Sequence, residues 1–249
     1  MLLLIALLGL VMASFVGTLA YRAPRGVSVI RPSSFCPGCG RRLSPLELVP
    51  VAGYVLSRGR CPACGYRIPV MYPAAEAVTA LVYVLLFVKY GPTADFTAYL
   101  YLVTVMVYLS LVDLDQGGVS PAEAGAVYLG GTAVVLLKAF TRWGGSPLPN
   151  LYAFLGTGAL LGLAYLAVYL LRHRPGIGAG DLLVVPGAAL YLQFQQAVRV
   201  LLVGCGLGIA AVLLLAALKR RRLADPLPLL PFVAGGVCVE ILVFSSYIF

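Results

Sequence analysis

Eight runs of apolar side chains, each near the length a helix needs to cross a bilayer, divide this chain. They cover roughly residues 1–20, 72–90, 96–113, 122–140, 150–171, 181–197, 199–218 and 229–248. A spanning segment takes about 20 residues, because lipid offers no partner to a backbone N–H or C=O and a helix satisfies both internally. With 61% of the 249 residues hydrophobic and 11% charged, a soluble globular domain is excluded. The expected fold is an all-α polytopic membrane protein of about eight transmembrane helices packed in the lipid bilayer. The first run, Met1 to Ala20, has no basic leading region and is long for a secretory signal. It is therefore expected to be a retained helix.

The net charge of +9 does not call for nucleic acid, since the positive-inside rule accounts for it. With the N-terminus outside, the cytoplasmic segments hold Arg22, Arg25, Arg31, Arg41, Arg42, Arg58, Arg60, Arg67, Arg172, Arg174, Lys219, Arg220, Arg221 and Arg222, which is 14 of the 18 basic residues. Lys89, Lys138, Arg142 and Arg199 remain outside. Both termini are thus expected on the exterior face.

Between the first two runs lies a polar insert, residues 21–71, too short to fold around a core of its own without a staple. Cys36-Pro37-Gly38-Cys39-Gly40 and Cys61-Pro62-Ala63-Cys64-Gly65 supply one: two Cys-x-x-Cys knuckles separated by 21 residues, near the usual spacing of a four-cysteine zinc site. Structural Zn²⁺ on Cys36, Cys39, Cys61 and Cys64 is the expectation. Two matched knuckles argue against a redox dithiol, which uses one motif at a helix start. Cys205 and Cys238 fall within apolar runs and read as small packing residues. The domain boundaries follow: a first helix over 1–20, the zinc insert over 21–71 and a seven-helix membrane domain over 72–249.

Only nine acidic residues occur, so their positions are informative. Asp113 and Asp115 end the third run, and Asp181 opens the sixth after Gly178-Ala179-Gly180. Alternating topology from an exterior N-terminus puts all three at the cytoplasmic boundary. A boundary aspartate can be a cap or a solvated charge, and Asp181 is well placed to cap its helix. An ionisable group at membrane depth is nevertheless costly and reads as functional. Paired glycines, Gly178 and Gly180, let backbone and a substrate strand approach the carboxylate. Peptide hydrolysis by two carboxylates needs one charged, to take a proton from water, and one neutral, to donate to the leaving group. The α-helix dipole favours charge on Asp181 at a helix start and disfavours it on Asp113 at a helix end, which makes Asp181 the initial base and Asp113 the initial acid. A close pair would titrate as a unit. The single histidine, His173, lies between Arg172 and Arg174 in a basic flank, and a His-Glu-x-x-His zinc protease is excluded.

On these residues the chain resembles the bacterial type IV prepilin peptidases, Gly-x-Gly-Asp membrane aspartyl proteases. The resemblance runs through Ser14-Phe15, Tyr21-Arg22-Ala23-Pro24, Cys36-Pro37-Gly38-Cys39-Gly40, Val49-Pro50, Arg58-Gly59-Arg60-Cys61, Cys64, Tyr72-Pro73-Ala74-Ala75-Glu76, Val112-Asp113-Leu114-Asp115, Gly178-Ala179-Gly180-Asp181 and the Pro226 to Gly236 region. It implies Asp113 and Asp181 as the catalytic pair, with Asp115 a secondary candidate. It also implies cleavage, at the cytoplasmic face of a bacterial inner membrane, of the short basic leader of prepilins or pseudopilins after a glycine. Many such enzymes then methylate the new N-terminus from S-adenosylmethionine, and the zinc insert belongs to that bifunctional type. A basic leader would be drawn to Asp113, Asp115, Asp181 and Glu76; Glu76 is equally readable as a helix-start residue. The chain departs from the pattern at Gly17, Leu48, Ser120 and Leu183, positions that bear on methyl transfer and substrate anchoring more than on the carboxylates. Two other classes remain: a binding or assembly factor of the same fold, and an ion-coupled transporter. A transporter should show internal repeats and mid-membrane polar groups, and the runs show few.

Overall fold

The computed structural model describes residues 1–140, 146–173, 178–218 and 227–245. Among the described residues the regular structure is helical, without a strand. Six helices are long and apolar enough to cross a membrane: α1 (Leu2–Arg22), α3 (Met71–Tyr90), α4 (Ala94–Gln116), α5 (Pro121–Phe140), α6 (Leu148–Arg172) and α8 (Phe194–Ala217). Two apolar helices are shorter, α7 (Ala179–Ala189) and α9 (Leu230–Val239), the latter continued by a π-helical turn, Glu240–Phe244. A five-residue helix, α2 (Ala52–Leu56), lies in the polar insert. The chain is an all-α, multi-pass membrane protein. Arg142, Arg174, Lys219, Arg220, Arg221, Arg222 and Pro226, which entered the expectations above, lie outside the described residues.

Five of the six long helices match expected spans to within three residues at each end, and α8 matches its span except that it starts five residues earlier. The expected span over 181–197 is corrected: its helix stops at Ala189, the chain turns through Leu190 to Gln193, and α8 starts at Phe194 rather than at 199. Pro186 inside α7 removes one intrahelical donor, and Gln193 with Gln196 forms a capping box that starts the next helix. Hydropathy alone misses this break, because Leu190, Tyr191 and Leu192 are as apolar in the turn as they would be in a helix. The run over 229–248 is likewise divided into α9 and its π turn.

Two compact units make up the chain, Met1–Val88 and Lys89–Phe249. In the first, Gly9 of α1 lies against Ala80 of α3, where a Cβ would stand 2.7 Å from the Ala80 Cα. The insert begins on Arg22, which is 3% exposed. Its guanidinium donates to the carbonyls of Ser28 (2.9 Å), Val29 (3.2 Å), Pro32 (2.9 Å) and Ser33 (3.2 Å) and lies over the Phe35 ring. Arg22, counted above only for its charge, is thus a buried organiser of the loop.

In the second unit α4 is the core helix. Tyr99, Leu102, Val103, Met106, Leu109 and Val112 are all buried, as expected of a helix apolar all round. It packs on α5 and α9; α7 packs on α5 and α6, and α8 on α6 and α9. The α8–α9 crossing is close because Gly204 and Gly236 face backbone: a Cβ on Gly236 would stand 2.5 Å from the Val200 carbonyl oxygen, and one on Gly204 3.1 Å from the Val233 Cα. Cys238 is half-buried on α9, whereas Cys205 lies on the exposed face of α8.

Candidate active site

Asp113 sits one turn before the end of α4, which is closed by Gly117 in the left-handed conformation (φ 72°), its N–H donating to the Asp113 carbonyl at 2.8 Å. The carboxylate is 6% exposed. Its Oδ2 accepts the backbone N–H of Leu230 at 3.1 Å. Leu230 is the first residue of α9, so the donor is one of the free N–H groups that every helix start leaves unpaired. This group was not identified from the sequence: a backbone donor leaves no mark on residue identity, and the only signal was Pro231 at a helix start. Asp115 is about 200° round the same helix and accepts a bond from the Gln116 side chain at 2.6 Å. The helix therefore turns the two aspartates to different faces.

Asp181 lies in the first turn of α7, whose N-cap is Gly178. The amides of Asp181 and Leu182 donate to the Gly178 carbonyl at 3.1 and 3.3 Å. Both glycines of the motif lie close to other parts of the chain. A Cβ on Gly178 would stand 3.1 Å from the Asp181 Oδ2, and one on Gly180 would meet Val119 at 3.3 Å from its Cβ and 3.4 Å from its N and O. Val119 belongs to the α4–α5 connection, so Gly180 seats the start of α7 directly beside the loop that follows Asp113.

One of the two departures in this region has an ordinary structural role, and at the other only the backbone does. Ser120 caps α5: its N–H and Oγ both donate to Glu123 Oε2 at 2.8 Å. The Leu183 carbonyl accepts the Tyr128 hydroxyl at 2.8 Å, tying α7 to α5. His173 is exposed and closes α6 in the left-handed conformation.

In the insert the four knuckle cysteines converge. Their sulfurs all lie within 4.8 Å of one another, and Cys36 Sγ is 3.7 Å from Cys64 Sγ. A tetrahedral metal with bonds of about 2.3 Å to thiolate sulfur sets its ligands about 3.8 Å apart, so the cluster fits a metal ion. The knuckles are built alike. The Cys36 N–H bonds the Arg41 carbonyl and Cys61 that of Tyr66, both at 2.8 Å, and Gly40 and Gly65 close the turns at φ of 70° and 72°. Backbone N–H groups of Cys64 and Ala63, aided by Arg41, bring the Cys61 thiol down to about 6, which favours the thiolate a metal binds. Arg41 also pairs with Glu47 at 2.6 Å and holds that carboxyl down at about 2. Glu76, offered above as a contact for the leader, accepts the Val51 N–H at 2.7 Å. Val51 is a β-branched residue at φ 61°, a strained conformation that this bond helps to hold.

Comparison with known proteins now identifies the lineage. Residues 7–90 match the family model of the bacterial peptidase A24 N-terminal domain. A prepilin leader peptidase/N-methyltransferase of Bacillus subtilis (strain 168) is 32% identical over 252 residues, an alignment that covers all of this chain and 96% of that protein. The chain belongs to this family of peptidases. Family members with the same name from Myxococcus xanthus (strain DK1622) and Aeromonas hydrophila are each 30% identical. They cover 86% and 82% of this chain, and 63% and 69% of their own lengths. No solved structure matches the chain.

Proposed function

We propose that the chain is a membrane aspartyl endopeptidase that removes the short basic leader of prepilins or pseudopilins, after a glycine, at the cytoplasmic face of a bacterial inner membrane. The reading is supported by Asp113 near the end of α4 and Asp181 in the first turn of α7, whose Gly180 lies against Val119 in the loop that follows Asp113, in a chain whose relatives are named for prepilin processing. Asp181 is the initial base, taking a proton from the attacking water. Asp113 is the initial acid. Because its Oδ2 accepts the Leu230 N–H, Oδ1 is the oxygen that carries and donates the proton. The pair shares its charge and titrates as a unit. Asp115 and Glu76 stand outside the chemistry and at most attract the basic leader.

The insert, residues 21–71, is the metal-binding module, with Zn²⁺ held by Cys36, Cys39, Cys61 and Cys64, and residues 72–249 form the peptidase domain. Zinc there is structural, cross-linking two turns that have little apolar core. Methyl transfer to the new N-terminus is the second activity in the relatives' name; S-adenosylmethionine supplies an electrophilic methyl group. Both termini face the exterior.

The test is cleavage of a model prepilin, with a basic leader, a Gly-Phe junction and an apolar helix, by wild type, Asp113→Asn and Asp181→Asn protein in detergent. Wild type should cleave and each variant should lose at least about 10²- to 10⁴-fold. Mass analysis of the mature N-terminus reads the added methyl group. Failure of wild-type protein with a metal-loaded insert to cleave several such substrates would instead support an assembly factor that has kept the fold.

A further inference from the structure

The peptidase unit buries charge and amide groups that play no part in the chemistry above. Asn150, near the start of α6, is 1% exposed. Its Nδ2 donates to the carbonyls of Leu190 at 3.0 Å and Leu192 at 3.3 Å, which close the C-terminal end of α7. Its Oδ1 accepts Lys138 Nζ at 3.0 Å from the end of α5. Lys138 is 6% exposed and within coulombic reach of the buried Asp95, in the first turn of α4. The hydrogen bonds therefore run α5, α6, α7 in order, and the charge on Lys138 extends the series to Asp95 of α4. They join the two helices that carry Asp113 and Asp181, each at the end remote from its aspartate.

A buried ammonium and a buried amide are costly at membrane depth, and simple satisfaction of the α7 carbonyls would need only a donor. Here the donor is itself fixed, by a cation fixed in turn against the helix of the other aspartate. The α7 helix has particular need of such a fix. At 11 residues it is about 16 Å long, too short for its register to be set by matching the bilayer. Sliding it by one residue moves Asp181 about 1.5 Å along the axis and about 100° around it.

We propose that Asn150 and Lys138 are positioning residues: they clamp the C-terminal end of α7 to the frame that carries Asp113 and so set the register of Asp181 against Asp113. This rests on the assignment of the two aspartates as the catalytic pair.

The experiment has two readouts on full-length protein in detergent. In the otherwise wild-type chain, Asn150→Leu and Lys138→Met should lower kcat by about a hundredfold, the scale of a 1 Å misplacement, while KM moves less than about twofold. In a D113C/D181C chain, the yield of a short thiol-to-thiol cross-link between positions 113 and 181, identified by peptide mass mapping, should fall at least about tenfold on adding N150L. Asn150→Asp, of the same size but without the two donors, carries both readouts if the leucine variant does not fold. Wild-type kcat and cross-link yield in a folded Asn150 variant would overturn the clamp. If wild-type protein cleaves nothing, the dyad assignment fails, and the cross-link still decides whether Asn150 sets the register.

Discussion

At the scale of single residues, the site depends on atoms that are missing as much as on those present. At Gly178 a Cβ would stand 3.1 Å from the Asp181 Oδ2, and at Gly180 3.3 Å from the Val119 Cβ, so both positions leave little space for a side chain. Gly180→Ala forces the neighbouring backbone to give by a few tenths of an ångström and shifts the start of α7. Its kcat should fall by about 10- to 100-fold with KM nearly unchanged, as measured with the model prepilin. Arg22 shows the same economy in the insert. Its four carbonyl contacts and ring contact make Arg22→Ala a loss of about 2–4 kcal/mol for the loop, read as faster proteolysis within residues 23–35. Neither feature was legible in advance, since steric closeness and multiple acceptors depend on residues remote in sequence or on the path of a loop.

At the scale of elements, the two short helices are the informative ones. Each presents its N-terminus to the site, α7 with a carboxylate in its first turn and α9 with a free N–H on Asp113, and each is held at its other end by buried polar contacts. The α9 end is held by Lys89 Nζ on the Ile241 and Leu242 carbonyls and by the Tyr90 hydroxyl on Ile241. The insert is stapled differently. Stripping the metal should unfold it, with protease sensitivity confined to about residues 21–71, since two knuckles without their ion have too little core to persist. Glu76→Ala should release the strained turn at Val51 and speed amide exchange over residues 51–56, because the lost acceptor leaves that N–H unpaired. Glu47 gives a pH prediction. Its folded-state carboxyl is held at about 2 against an ordinary 4.5, so the Arg41 bridge is complete above the ordinary value and fades only as pH falls towards 2. A carboxyl chemical-shift titration reads this directly, and a midpoint near 4.5 would show the bridge absent.

At the scale of the whole molecule, the two units are built differently, one around a pair of cysteine turns that could hold a metal and the other as a helix bundle. In the bundle, Arg199 on α8 pairs with Glu240 at 2.8 Å where α9 passes into its π turn, and Glu240 is 1% exposed. Arg199→Met leaves that carboxylate buried without its cation. Allowing for the partly exposed guanidinium, the expected cost is about 1–3 kcal/mol, and the double variant Arg199→Met/Glu240→Gln should recover part of it; thermal unfolding in detergent measures both. Lys138 and Arg199 entered the sequence reading only as charges on the exterior side, and both make contacts inside the bundle. Their neighbours in space lie 12 and 41 residues away in the chain, beyond what charge counting can see.

The sequence by itself determined the membrane class, the long helices apart from the start of α8, the four-cysteine cluster and the two aspartate motifs, because apolar length, knuckle spacing and motif glycines are local properties written in consecutive residues. Tertiary structure decided where the sixth apolar run breaks, which backbone N–H reaches Asp113, what the motif glycines make room for and where the buried charges find partners. These depend on which helix faces which, and that is settled only when buried donors and acceptors must find one another in a medium that offers them nothing else.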